Sequence, residues 1–208
     1  TPPMTSFYED WMGKHFIEYD PAKANALLDE IGLKWDADKK VRLRPDGKPF
    51  RIVLECTEEF FPMSELVAEH WTKVGIQTAV KQQERLFFLN RGPANERDAS
   101  AWTYDGVAEF TMRQGGGRIR PAWGNYLETA PLWQAWFDSK GASGEQPPEI
   151  VRKQYDLMNQ FIMAAPGSAD YMRIGKEILT NHANNLWVIG MTVAPRVIAI
   201  TYAPVFRK

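Results

Sequence analysis

Two strand-like segments separated by one helix-like segment most constrain the fold of this chain. Residues 50–56 alternate along the chain, which predicts a strand with one face formed by Phe50, Ile52, Leu54 and Cys56. Residues 62–75 then predict a helix with Leu66, Val67, His70, Trp71 and Val74 along one face. Residues 76–82 return to strand character. A strand, a helix and a strand within about thirty residues indicate a βαβ unit, with parallel strands and a right-handed crossover.

The same alternation continues beyond this unit. Residues 84–92 predict a helix, and residues 98–102 predict a strand that extends the parallel sheet. The fold class is therefore α/β, with a mixed, largely parallel sheet flanked by helices. The remaining predicted elements are helices over residues 130–139, 148–164 and 169–185, and two strands, or a strand and an extended tail, over residues 186–193 and 196–202.

A short amphipathic helix is predicted near the start of the chain. Asp20 is a good N-cap. Pro21 suits the first helical position, because a backbone N–H there would have no acceptor within the helix. Gly32 is placed to end the helix in the left-handed conformation. The helical spacing predicts one apolar face, formed by Ala24, Leu27, Leu28 and Ile31.

Composition and charge exclude several classes of protein. The formal net charge of the 208 residues is -1, which provides no strong field for nucleic acid or for an anionic membrane. The longest apolar run, LWVIGMTVAP, is far shorter than the roughly 20 residues of a membrane-spanning helix. The single Cys56 lies within a predicted strand, which favours a buried, inert thiol.

No motif for a metal, a cofactor or a phosphate group is evident. His15, His70 and His182 lie on separate predicted elements without the spacing of metal ligands, so we expect partly exposed helical histidines and no metal or cofactor. Three glycines at 115–117 lie between arginines, but no Lys-Ser/Thr pair follows them. This segment therefore favours a flexible loop over a phosphate-binding loop.

Aromatic residues concentrate where helical and strand periodicity is weakest. Between residues 102 and 137 they are Trp102, Tyr104, Phe110, Trp123, Tyr126, Trp133, Trp136 and Phe137. Irregular clustering indicates loops that either fill a core or line a ligand cleft, and the pattern alone leaves both open. Asp105 favours a cleft for Trp102, because a buried carboxylate without a cationic partner is costly. Ligands in open α/β sheets also collect at the carboxyl ends of strands, which is where Trp102 and Asp105 lie.

Two other classes of protein remain open on the residues alone. A carbohydrate-active hydrolase would use Asp105 with a second carboxylate such as Glu109, since glycoside hydrolysis needs two acids facing one bond. An α/β interaction module would use the aromatic residues only as core.

Several stretches together resemble one known family. YDPAKANALLDEIGL, PDGKPFRIVLE, ELVAEHWTKVGIQTAVKQQE and RDASAWTYDG are similar to the C-terminal lobe of the family 5 extracellular solute-binding proteins, and GKEILTNHANNLWVIGM resembles its late helix and following strand. Proteins of this family serve ABC importers of oligopeptides, dipeptides, nickel and some oligosaccharides. The resemblance covers nearly the whole chain from Tyr19 onward and rests on the order and spacing of its pieces.

The resemblance implies a type II, cluster C periplasmic-binding-protein fold and a binding protein without catalytic activity. It implies that residues 1–19 are a linker or a remnant of a preceding region, that residues 20–193 are the C-terminal ligand-binding lobe, and that residues 194–208 cross back to a first lobe. A longer, exported protein located in the periplasm or outside the cytoplasm is expected. Its partners would be a small peptide or sugar ligand, the first lobe and the ABC permease, with no nucleic acid.

The resemblance also implies site residues. In oligopeptide-binding members a Trp-x-x-Asp motif supplies the aspartate that pairs with the α-amino group of the peptide, and Trp102 and Asp105 match it. The continuation of this motif in the present sequence, YDGVAEF, differs from the continuation DYPDP that is commoner in the family. The tryptophan-rich loop that follows resembles subfamilies that take sugars. We therefore expect ligand contacts from Trp102, Tyr104, Asp105, Trp123, Trp133 and Trp136.

Overall fold

The computed structural model of the protein describes residues 5–103, 109–114 and 130–190. Two short 3₁₀ turns, at Asp10–Gly13 and Glu58–Phe60, accompany the helices and strands. In chain order these are α1 (Pro21–Glu30), β1 (Lys34–Trp35), β2 (Arg42–Leu43), β3 (Arg51–Cys56), α2 (Phe61–Lys73), β4 (Gln77–Gln82), α3 (Arg85–Arg91), β5 (Ala99–Ser100), α4 (Glu109–Arg113), α5 (Pro131–Asp138), α6 (Glu149–Met163) and α7 (Ala169–Asn185).

The predicted βαβ unit is confirmed. β3 and β4 pair in parallel over six residues, from Arg51 opposite Gln77 to Cys56 opposite Gln82. β5 pairs in parallel with the other edge of β3, which gives the strand order β4-β3-β5. The carboxyl ends of β3, β4 and β5 therefore lie at one end of the sheet. β1 and β2 form a separate antiparallel ladder.

The buried faces of two elements differ from the expectation. The strand prediction placed Glu55 on the face opposite Leu54 and Cys56, yet Glu55 is only 2% exposed. As the central strand of a parallel sheet, β3 is covered on both faces towards its carboxyl end. On α2 the buried side chains are Ser64 and Ala68, and Leu66 is 59% exposed. Of the predicted face, Val67 packs against the sheet cluster and Val74 is 8% exposed, whereas His70 is exposed.

The amphipathic helix α1 begins and ends as predicted. The side chain of Asp20 accepts a hydrogen bond from the backbone N–H of Lys23 at 2.9 Å, and Gly32 has a φ of +88°. Its apolar face is not buried, however, because Leu27 is 50% exposed and Ile31 is 68% exposed. The sequence therefore predicts the bounds of α1 correctly but not the burial of its apolar face.

The helical half of the molecule has a core of its own. α6 and α7 pack together, and Met112 of α4 joins them. Residues before α1 contribute as well, since Phe7 and Met12 are each 4% exposed within the same core. These residues therefore pack with the helices, and the division of the chain at residues 19 and 193 stays a prediction.

Helices α3, α5, α6 and α7 confirm the corresponding predictions. The strand predicted over residues 186–193 is wrong for residues 186–190, which form no strand. Leu186 follows α7 in the left-handed conformation, with φ 45° and ψ 45°, and this turns the chain away from an extended path. Residues 191–208, with the rest of that strand and the predicted crossing segment, lie outside the described residues.

Candidate functional site

A cavity of about 750 Å³ lies beside the sheet. We call it the Trp102 cavity. Its walls come from β3, α2, the segment around β5, the residues before α1, the start of α5 and the chain after α7. The lining residues are Glu18, Tyr19, Leu54, Val67, His70, Trp71, Gly92, Asn95, Arg97, Asp98, Ala99, Ser100, Ala101, Trp102, Thr103, Ala130, Pro131, Leu186, Trp187, Val188 and Ile189.

Trp102 reaches this cavity because it lies two residues after the end of β5. The backbone N–H of Ala101 donates to the carbonyl of Glu55 at 2.9 Å, which ties the end of β5 to β3. The half-buried indole then stacks on Phe88 of α3, with ring centres 5.1 Å apart and planes at 17°, and the guanidinium of Arg85 lies 4.9 Å from its ring centre. These contacts fix the indole as a rigid part of the wall.

The other predicted site residues are distributed differently. Trp133 and Trp136 lie half-buried on α5 and do not line the Trp102 cavity, although Ala130 and Pro131 at the start of that helix do. Trp136 packs edge-on against Phe137 at 5.3 Å. Tyr104, Asp105 and Trp123 lie outside the described residues. A ligand-binding role for all six residues stays a prediction.

Two tryptophans that the sequence analysis did not select also line the Trp102 cavity. Trp71 lies on α2 and Trp187 follows α7. Trp71 was assigned only to one face of a predicted helix, and in the structure it is half-buried on α2. Its position on the crossover helix that packs on β4 and β3 was the available signal. Trp187 had no comparable signal, because its segment predicted a strand.

Polar groups share the lining with these indoles. The carboxylate of Asp98 accepts a hydrogen bond from the backbone N–H of Val53 at 3.0 Å. His70 packs edge-on against Tyr19, with ring centres 5.2 Å apart. Hydroxyl, amide and carboxylate groups are added by Ser100, Thr103, Asn95 and Glu18. Broad apolar surfaces with a few hydrogen-bonding groups are typical of small-molecule sites.

A charge cluster centred on the buried Glu55 lies next to the Trp102 cavity, which Arg97 also lines. Glu55 forms an ion pair with Arg91 at 2.9 Å, and Arg97 lies 3.9 Å from its other carboxylate oxygen. Arg91 also pairs with Glu96 at 3.0 Å. The hydrogen bond from Arg91 to Glu55 raises the pKa of Arg91 above its ordinary value. This cluster joins the central strand to the loop that leads into β5.

Glu109, the second acid of the hydrolase alternative, has structural partners. It accepts hydrogen bonds from the backbone N–H of Ser6 at 2.5 Å and from the hydroxyl of Tyr171 at 2.8 Å. The contact with Ser6 lowers the pKa of Glu109, whereas a general acid for glycoside hydrolysis needs a raised pKa. Burial, together with the hydrogen bond to Glu109, raises the pKa of Tyr171 to about 12.

The cysteine and histidine residues lie in different surroundings. Cys56 is fully buried, as predicted, and burial raises the pKa of its thiol. His182 was expected to be partly exposed, but it is only 6% exposed, and burial lowers its pKa to about 4. The residues that the structure describes contain no group of three or more His, Cys, Asp or Glu side chains placed to hold a metal ion.

Comparisons with known proteins identify the family. Residues 1–114 match the model of the bacterial extracellular solute-binding proteins, family 5 Middle. Among solved structures, an oligopeptide-binding protein OppA is 30% identical with a TM-score of 0.75, and the match covers 87% of this chain and 30% of that chain. No curated protein sequence matches.

Two more distant structures show the same fold. The periplasmic binding protein MelB of Agrobacterium fabrum, solved with stachyose, is 15% identical with a TM-score of 0.70, covering 88% of this chain and 27% of that one. A periplasmic oligopeptide-binding protein of Thermotoga maritima, solved with mannohexaose, is 16% identical with a TM-score of 0.59, covering 87% and 32%. The predicted periplasmic-binding-protein fold is thereby confirmed.

The chain spans about 30% of the length of the solved structures that it matches. Within the described ranges, no helix has the length and apolar character needed to cross a bilayer. The family model covers more than half of the 208 residues and includes β3, α2, β4 and β5. The chain belongs to the family 5 bacterial extracellular solute-binding proteins.

Proposed function

We propose that this chain works as one lobe of the solute receptor of an ABC importer. It captures an oligopeptide or an oligosaccharide in the Trp102 cavity, outside the cytoplasm, and the receptor delivers that solute to the membrane permease. The observation that carries this proposal is the Trp102 cavity itself, which lies where β5 of a family 5 parallel sheet ends and is walled by a fixed indole. Binding and release require no covalent chemistry.

The composition of the lining favours an oligosaccharide as the solute. Trp71, Trp102 and Trp187 supply flat apolar surfaces, which suit the C–H faces of pyranose rings. Side chains such as Asp98 and Ser100 supply acceptors and a donor for sugar hydroxyls. A peptide is the second candidate, because Asp105 matches the residue that pairs with the peptide α-amino group in oligopeptide-binding members.

A second lobe completes the mechanism. The short coverage of the solved relatives supports a receptor in which further chain closes over the Trp102 cavity. Closure excludes water, which strengthens each hydrogen bond to the solute, and a solute that contacts both lobes shifts the open-closed equilibrium towards the closed form. The closed receptor is the form that the permease recognises.

Calorimetric titration of the two-lobed receptor tests this proposal. The probes are stachyose, mannohexaose and a panel of two- to five-residue peptides. We expect at least one probe to bind, and Trp102→Ala to weaken its binding by about tenfold or more because one wall is lost. Trp11→Ala is the matched control, since Trp11 lies outside the cavity and its indole N–H donates to Glu9 at 2.9 Å.

Two results would overturn the proposal. One is that no probe produces either binding heat or a change in the tryptophan fluorescence of the receptor. The other is the appearance of cleavage products by mass spectrometry that Asp105→Asn abolishes, because this result would assign the site to a hydrolase.

A further inference from the structure

The Trp102 cavity extends along β5 and has two chemically different ends. Asp98 directly precedes this strand, and its carboxylate accepts a hydrogen bond from the backbone N–H of Val53 at 3.0 Å, in the amino half of β3. Trp102 follows the carboxyl end of β5, and both Asp98 and Trp102 line the cavity. The extended chain between them covers about 13 Å. We call the end beside Asp98 the amino end of the cavity.

The crossover helix brings further groups to the amino end. Since α2 returns the chain from the carboxyl end of β3 to the amino end of β4, it runs antiparallel to both strands. His70 and Trp71 lie near the end of α2, and they therefore lie on the same side of the cavity as Asp98. Tyr19 packs edge-on against His70, with ring centres 5.2 Å apart, and brings the neighbouring Glu18 into the lining of this end.

The carboxylates of Glu18 and Asp98 give the amino end a negative charge. Within the ranges that the structure describes, neither of them forms an ion pair. Arg97 is the one lysine or arginine of the described lining, and protein groups already engage it. Its side chain is 7% exposed, and its guanidinium lies 4.0 Å from the ring centre of Phe88 and 3.9 Å from the carboxylate of Glu55. A solute at the amino end therefore meets two carboxylates that no described ion pair neutralises.

Aromatic rings share the amino end with these acids. Trp71 is half-buried, Tyr19 is 70% exposed, and both line this end. The face of an indole or phenol ring attracts a cation, and the attraction increases when water is excluded. Lys73, at the end of the same helix, lies outside the lining and pairs with Glu69 at 2.6 Å, so its ammonium group has another partner. Carboxylates beside aromatic faces suit an ammonium group on a ligand.

We propose that the amino end of the Trp102 cavity binds an ammonium group of the solute, between the carboxylates of Glu18 and Asp98. This inference rests on the proposed function and names its substrate class, which is an oligosaccharide that contains an amino sugar or a peptide that contains a lysine side chain. The subsite lies at the opposite end of β5 from Asp105, the residue that the resemblance connects with the peptide α-amino group. Closure over the cavity excludes water and strengthens the attraction of the carboxylates and of the rings.

Fluorescence quenching in the ligand-free two-lobed receptor tests the charge of the amino end without any solute. Caesium and iodide ions both quench indoles, and a negative field attracts caesium and repels iodide. The emission that Trp71→Phe removes reports on Trp71. We expect the combined change of Glu18→Gln and Asp98→Asn to lower the caesium-to-iodide ratio of quenching at Trp71 by about twofold or more. An unchanged ratio would overturn the proposal.

Both substitutions conserve the shape of the side chain. Asparagine at position 98 keeps an oxygen that accepts from the N–H of Val53, so the contact with β3 is retained. Asp38→Asn is the matched control, since Asp38 is an exposed carboxylate that pairs with Lys40 at 3.7 Å and lies outside the lining of the cavity. It should leave the quenching ratio of Trp71 at the wild-type value.

Calorimetric titration with two pairs of probes then tests the ammonium group itself and distinguishes its sources. One pair is the tetramer of glucosamine and its fully N-acetylated form. The other is an N-acetylated tetrapeptide amide that ends in lysine and the same peptide with an acetylated lysine side chain, so that no α-amino group is present. At about pH 6 both amines carry a charge. We expect the charged member of at least one pair to bind about tenfold more tightly than its neutral partner.

The variants assign this preference to the amino end. The combined change of Glu18→Gln and Asp98→Asn should reduce it to less than about threefold, whereas Asp38→Asn should leave it unchanged. Equal affinities within both pairs, a preference that survives in the double variant, or binding of stachyose without binding of either charged probe would each overturn the proposal and leave the proposed function in place. The proposed function fails, and this inference with it, if none of the neutral and charged probes binds.

Discussion

His182 illustrates how one buried residue sets the response of the chain to acid. It lies at the last turn of α7 and is 6% exposed, and burial lowers its pKa from 6.5 to about 4. The unfolded chain takes up a proton at this site more readily than the folded chain. The free energy of unfolding is therefore independent of His182 above about pH 6.5 and decreases as the pH falls towards 4, by roughly 3 kcal/mol in total.

Urea unfolding between pH 7.5 and 4 measures this decrease. We expect His182→Gln, which cannot be protonated, to flatten the profile in the window between pH 6.5 and 4. The control is His70→Gln, because His70 is exposed on α2. It should retain the wild-type slope, and a His182→Gln profile as steep as that of the wild type would contradict the assignment.

Gly175 is a second single residue with a defined role. A Cβ built on it would lie 2.6 Å from the ring of Phe7, so the glycine makes room for that ring on α7. Gly175→Ala should destabilise the protein by about 1–3 kcal/mol through overpacking, despite the better helix propensity of alanine. Chemical denaturation of Gly175→Ala, Phe7→Ala and the double variant checks this. In the Phe7→Ala background the same change should be neutral or stabilising, and a stabilising effect in the wild type would refute the contact.

The burial of the charged residue Glu55 could not be predicted from the sequence alone. Alternation along residues 50–56 predicts the strand, and the βαβ order predicts its parallel neighbours. Burial of Glu55 depends on Arg91 and Arg97, which lie 36 and 42 residues further along the chain and reach it only after α3 and the following loop have folded. A local pattern carries no information on such a partner, so the carboxylate was assigned to the wrong environment.

At the scale of elements, the ends of α1 could be predicted from the sequence, whereas its packing could not. The N-cap of Asp20 and the stop at Gly32 predict its ends, because both act within a few residues. The contacts of its apolar face depend on distant elements, and Leu27 and Ile31 remain exposed among the described residues. The helix is attached instead through polar groups of the buried Arg42.

Arg42 is the attachment point of α1. Its guanidinium donates to the carboxylate of Asp29 at 2.9 Å and to the side-chain oxygen of Asn25 at 2.6 Å, both on α1, while its Nε donates to the carbonyl of Val74 at 2.8 Å. It also lies over Trp35, 4.8 Å from the ring centre. The planar group thus joins α1 to the end of α2.

Replacing Arg42 with lysine should detach α1 while the rest of the molecule stays folded. A lysine keeps the charge but cannot reproduce the planar set of donors, so we expect a loss of roughly 3 kcal/mol and faster hydrogen exchange along α1. Exchange along α7 should change far less. Arg44→Lys is the matched control, since Arg44 pairs with Asp46 at the surface. Wild-type protection of α1 amides in Arg42→Lys would show that another contact holds the helix.

At the scale of the whole molecule, the described residues form two apolar clusters of unequal size. The sheet cluster contains three buried members, Leu54, Cys56 and Ala101. The helical cluster, centred on α6 and α7, contains eleven: Phe7, Met12, Met112, Leu157, Met158, Phe161, Tyr171, Ile174, Ile178, Leu179 and Ala183. The proposed solute site, the Trp102 cavity, lies at the sheet, where the buried core is smaller. Local openings of low free energy should therefore concentrate beside the site.

Truncation of one side chain in each cluster tests whether the two open separately. Phe161 is fully buried and contacts Phe7 and Tyr171 at 5.7 and 4.5 Å between ring centres, so Phe161→Ala should cost about 3–5 kcal/mol. Native-state hydrogen exchange should report this loss in α6 and α7, and much less in β3 and β4. Leu54→Ala should give the reverse pattern. If both variants lower protection equally in both regions, the clusters form one cooperative unit, and the mobility expected beside Trp102 cannot arise from the smaller core.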